Sequence, residues 1–138
     1  MIKPVKFNPQ GERLWINIEM MGIYFVTYTY QLWSADATVP PVLTNPLRSG
    51  SNEIPHDDFF PVVNDFNPTE PVERYVGRTI DVRFWVKKGE DDEGYTLTLT
   101  VLQGNAFSTA AVIGGDIVQG KTDGASIKEA FITLKLVI

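Results

Sequence analysis

The sequence of 138 residues predicts an all-β fold, a two-layer antiparallel β-sandwich of jelly-roll or Ig/C2-like type with about six to eight strands. Three stretches carry that expectation: Ile80, Val82, Phe84 and Val86; Tyr95, Leu97, Leu99 and Val101; and Ala130, Ile132, Leu134, Leu136 and Ile138. Each places an apolar side chain at every second position, which lines one face of a pleated strand, whereas a helix would scatter the same residues around its circumference. A small β-barrel is the alternative architecture.

Taken in order, residues 13–20 put Leu14, Ile16, Ile18 and Met20 on one face, and residues 23–34 put Tyr24, Val26, Tyr28, Tyr30 and Leu32 on one face with Phe25, Thr27, Thr29 and Trp33 on the other. Bulk on both sides suits an interior strand, and Gly22 is placed for a tight connection or bulge between the two as a first strand pair. Residues 78–88 and 94–103 then read as the clearest hairpin, joined by the acidic tip Glu90, Asp91, Asp92 and Glu93, with Thr96, Thr98 and Thr100 as its solvated face. A smaller hairpin is expected over residues 107–113 and 117–119, because Gly114 and Gly115 allow the positive φ of a two-residue turn. The last strand runs to the C-terminus.

The expected organisation is a single domain over residues 1–138, with an N-terminal arm over residues 1–12 and a long Pro-rich acidic insertion over residues 35–76. Seven prolines, Pro40, Pro41, Pro46, Pro55, Pro61, Pro68 and Pro71, oppose regular ladders through that insertion. Segments of this length in compact domains are more often functional than decorative. The arm carries Lys3 and Lys6 and no acid up to Gln10; a frayed end is the favoured expectation, and the alternatives are an arm that reaches the acidic surface of a neighbouring subunit or one that pairs with a sheet edge by strand addition.

Composition excludes several classes. The formal net charge of -5 lacks the clustered cations that phosphate backbones require, so no nucleic acid is expected as partner. No continuous apolar run is long enough for a membrane span or a secretory leader, and there is no cysteine for disulfides or thiolate chemistry, so a cytoplasmic location is expected. No cofactor is expected either. His56 is the only histidine, too few for an imidazole metal set, no Gly-x-Ser-x-Gly elbow presents a serine, and the acidic tip lacks the ligand spacing of an EF-hand.

The candidate ligand-binding residues lie in the insertion: Asp57, Asp58, Phe59, Phe60, Asp65 and Phe66. Residues 49–73 hold six carboxylates and no Lys or Arg, and carboxylates beside aromatic rings suit a sugar, whose hydroxyls donate to the acids while its C–H faces meet the rings. The competing reading makes the phenylalanines anchors and turns the acids to water. Adjacent residues of an extended segment point opposite ways, so one of Phe59 and Phe60 is expected to face the sheet. Trp15 and Trp85, opposite the core phase of their strands, are expected to be covered by the insertion. The functional expectation is a non-catalytic binding or assembly module recognising a protein or a carbohydrate. Alternatives are a self-associating homo-oligomeric subunit and a carboxylate- or calcium-dependent hydrolase.

Overall fold

The structure, a computed structural model, describes residues 2–22, 26–34, 48–51, 57–65, 67–87, 94–122, 124 and 126–138. Nine strands occur among them: β1 (Ile2–Lys6), β2 (Leu14–Gly22), β3 (Val26–Trp33), β4 (Arg48–Ser51), β5 (Asp57–Pro61), β6 (Thr79–Val86), β7 (Gly94–Gln103), β8 (Ala111–Lys121) and β9 (Lys128–Val137). They form a five-stranded sheet of order β1-β9-β6-β3-β4 and a four-stranded sheet of order β5-β2-β7-β8. The two pack face to face as a β-sandwich and do not close into a barrel.

The expected phase of every core strand holds. Phe84, Leu97, Leu99, Ile132, Leu134 and Leu136 are all buried in one cluster, joined by Leu14, Ile16, Ile18 and Met20 from β2 and Val26, Tyr28, Tyr30 and Leu32 from β3. Strand pairing departs from expectation. β2 and β3 are not a hairpin, because they belong to different sheets; the same is true of β6 and β7. Each pair still faces one core, but from opposite layers, since alternation fixes which side chains point inward and leaves the choice of sheet open.

The true hairpin is β7–β8, and Gly114 and Gly115 lie inside its second strand rather than at a turn. Gly114 opposes Val101 and Val112 opposes Leu102, so Ile113 is the extra residue of a bulge. At Gly115 φ is 152°, and a Cβ there would run into the carbonyl oxygen of Leu99. The glycine is required by this close approach of two backbones.

The N-terminal arm is not frayed. β1 pairs in parallel with β9, Ile2 opposite Thr133 through Lys6 opposite Val137, and the Phe7 N–H continues the pairing to Val137 O at 2.9 Å. Burial of Val5 and Phe7 gives this short strand its anchor. Of the 35–76 insertion, β4 edges the larger sheet beside β3 and β5 edges the smaller one beside β2, so the insertion does contain ladders. Residues 35–47, His56, Phe66 and the 90–93 acidic tip lie outside the described residues.

Candidate functional site

β5 divides the candidate residues between two faces. In its register with β2, Phe60 opposes Ile16 and Asp58 opposes Ile18, both core residues, while Phe59 opposes Asn17 on the outer face. Phe60 therefore turns inward and meets the Tyr30 ring edge-on at 4.7 Å between centroids. Asp58 accepts a hydrogen bond from the Tyr28 hydroxyl at 2.6 Å, which ties β5 of one sheet to β3 of the other. Gly50 of β4 leaves room for this link, since a Cβ there would collide with both Asp58 and Tyr28. Asp58 is thus a tie across the layers. Tyr28→Phe should lower stability by about 1–2 kcal/mol, because a part-buried carboxylate loses its donor; urea denaturation measures it, and an unchanged midpoint would show that the bond contributes nothing.

Phe59 stays 55% exposed even though its ring lies parallel to Phe107, with centroids 4.2 Å apart and planes 13° from parallel. Phe107 comes from a 3-10 turn, Phe107–Thr109, in the β7–β8 connection, and it meets Trp15 at 6.3 Å in an edge-to-face arrangement. The indole of Trp15 is fixed by its N–H donating to Gly104 O at 3.0 Å, with the Arg13 guanidinium 5.5 Å from its ring. The described partners of Trp15 thus include the β7–β8 connection, a cover the sequence reading did not foresee. Trp85, on the outer face of the larger sheet, has the Arg83 guanidinium 6.0 Å from its ring.

Register extends this aromatic group across the smaller sheet. Pro61, Trp15, Leu102 and Val112 form one cross-strand row, and Phe59, Asn17, Thr100 and Gly115 form the next. The outer face therefore offers an open ring beside an amide and a hydroxyl-bearing side chain. Asn17 Oδ1 is buried and has no hydrogen-bond partner among the described residues. Asp57 pairs in register with Glu19, and Asp65 is exposed on the loop beyond β5.

No family model, curated protein or solved structure matches the chain.

A second polar group closes one end of the sandwich, and it includes an acid that the sequence reading turned towards water. The Glu70 side chain is largely covered: one carboxylate oxygen pairs with Arg78, and the other accepts from Asn64 Nδ2 at 3.0 Å. Tyr75, at the end of a 3-10 turn over Val72–Tyr75, receives the Asn64 backbone N–H on its hydroxyl oxygen at 3.2 Å and lies 4.7 Å from the Arg78 guanidinium. Burial raises the Tyr75 phenol above its ordinary pKa, partly offset by the Asn64 N–H and by Arg78. Gly77, at φ 85°, reverses the chain into β6 and donates its N–H to Leu136 O at 2.7 Å. A cavity of about 180 Å³ lies beside the group, with Glu12, Arg13, Thr69 and Tyr75 in its wall. Glu70 balances the Arg78 charge inside the protein, while Arg78 Nε and Nη1 are buried with no hydrogen-bond partner among the described residues; the group ties Asn64, Glu70 and Tyr75 to Arg78. Among the described residues no cluster of three His, Asp or Glu side chains is placed to hold a metal ion, and no helix is long and apolar enough to cross a membrane.

Proposed function

We propose that the chain is a non-catalytic binding module that recognises a carbohydrate on the outer face of the four-stranded sheet, around Phe59. The observation that carries this reading is the Phe59–Phe107 stack: a ring more than half exposed, yet held in a fixed plane by a second ring. Preorganised aromatic surface lowers the entropic cost of binding, and ring faces accept the C–H side of a sugar. Thr100 in the same cross-strand row supplies a hydroxyl for an orienting hydrogen bond. Of the six residues singled out from the sequence, Phe59 is the one this proposal uses for contact. Phe60 and Asp58 support the strand that presents it.

Phe59→Ala should abolish binding on a glycan array while costing less than about 1 kcal/mol of stability, since an exposed ring contributes little burial. Phe60→Ala should do the reverse, lowering the melting temperature while leaving ligand affinity, measured well below the transition, nearly intact. An array on which the wild-type protein binds no glycan would overturn the carbohydrate reading and leave a protein partner as the occupant of the same face.

A further inference from the structure

We infer that β8 is a self-association edge, pairing antiparallel with β8 of a second copy of this chain. The inference goes beyond the ligand platform and uses different residues. A sheet edge presents unpaired backbone groups, and soluble proteins blunt such edges with prolines, charges, bulges or short strands. Three of the four edges here are blunted in that way. β1 has five residues and carries Pro4, β4 has four residues, and β5 has five and ends at Pro61. β8 has eleven residues, the longest strand described, and contains no proline. Its bulge, at Ile113, lies near its start and leaves residues 114–121 in unbroken register with β7.

Its interior carries a single charge. Between Ala111 and Gly120 the one charged side chain is Asp116, which faces Lys3 at 3.8 Å and accepts the Ile117 N–H at 2.8 Å. That second bond satisfies, within one copy, an N–H that an incoming strand's carbonyl takes over when the pair forms. Val112 and Ile117 are exposed apolar side chains on this strand. β1 lies against β8 near Gly114, where an added Cβ would touch Val5, but the described ladders join β8 only to β7.

The strand's own sequence favours a second copy as the occupant. In antiparallel pairing, opposite residues share a face, so a two-fold axis at Ile117 brings the exposed isoleucines together. The same axis sets Gln119 opposite the side-chain-free Gly115 and Asp116 opposite Val118, so the carboxylates do not confront each other. An axis one residue earlier would oppose the two Asp116 carboxylates, which is unfavourable. The isologous contact closes on itself. It joins the two four-stranded sheets into one of eight strands, whose outer edges are the short, proline-ended β5 strands.

The absence of cysteine allows a direct test. Ile117→Cys places two thiols at the axis, where opposing Cα atoms are about 4.5–5.5 Å apart in an antiparallel pair, inside the range a disulfide spans. Mild oxidation should convert this variant to a covalent dimer. Val112→Cys, on the same strand and more exposed, should remain monomeric on a non-reducing gel, because its two copies lie about 33 Å apart at about 3.3 Å per residue. In sedimentation equilibrium the wild-type chain should be a dimer and Ile117→Lys a folded monomer with an unchanged circular dichroism spectrum. A wild-type protein that stays monomeric to millimolar concentration, cross-linking no better at position 117 than at 112, or a dimer that survives Ile117→Lys would overturn the inference. None of these readouts depends on a glycan, so failure here and failure of the ligand reading are separately visible.

Discussion

Glu70→Ala should destabilise the protein by about 3–5 kcal/mol, because it leaves the buried Arg78 guanidinium without its counter-charge. The two side chains are 8% and 9% exposed, so water does not replace the lost partner without opening the end of the sandwich. Asn64 Nδ2 loses its acceptor in the same change. The cost reflects an orphaned charge rather than the net worth of the pair, and this distinction is measurable. Replacing both partners with apolar residues, Glu70→Leu with Arg78→Met, should cost less than Glu70→Ala alone, because no buried ion is then left unpaired. A double variant less stable than the single one would refute this account. Alkali should weaken the same region. Burial raises the Tyr75 phenol above 10.0, so the folded protein keeps a proton that the unfolded chain releases, and stability falls as pH rises past 10.0.

The periodicity of the chain showed which side chains meet in the core but not how strands pair. Leu97, Phe84 and Leu134 lie in two sheets, yet the same two-residue alternation places all three inward. Alternation carries no information on which sheet a strand joins, so Gly22 and the 90–93 acidic tip suggested hairpins between strands that belong to different sheets. Gly114 and Gly115 misled for a different reason. Their local signature is a turn, but the requirement at Gly115 is the Leu99 backbone, a neighbour sixteen residues away. Parallel pairing of β1 with β9 joins the two ends of the chain, and nothing local to residues 2–6 announces it beyond Val5.

The candidate site was legible to the same depth. Alternation separated Phe59 from Phe60, and the structure agrees on which way one of them must turn. The ring stacked on Phe59, that of Phe107, is forty-eight residues distant and arrives on a connection whose sequence suggests a strand of a small hairpin. The acidic character of residues 49–73 suggested a solvated or ligand-facing surface. Two of its carboxylates are instead taken by the fold, Asp58 by Tyr28 and Glu70 by Arg78, and both partners lie outside the acidic stretch. A charge count over a window cannot reveal a pairing that leaves the window.

Phe84→Ala should cost about 3–5 kcal/mol, the range for deleting a fully buried phenyl ring. Phe84 is inaccessible to solvent on β6, a strand flanked on both sides by β3 and β9, so the sheet cannot slide to fill the space. Its cross-strand neighbours are Tyr28 and Ala130, and the Tyr28 ring lies 6.4 Å away by centroids. Tyr28 is itself held by Asp58 of the opposite sheet, so it cannot collapse into the cavity without breaking that tie. The cost should therefore fall towards the lower end of the range when Tyr28→Phe releases the ring first. Denaturant midpoints of Phe84→Ala, Tyr28→Phe and the double variant measure this coupling, and strict additivity would show that the tie does not limit relaxation around position 84. Phe84→Leu, which keeps most of the apolar volume, should lose less than half of what Phe84→Ala loses. Equal losses for Leu and Ala would mean that the ring's shape, rather than the volume it fills, is what the core requires.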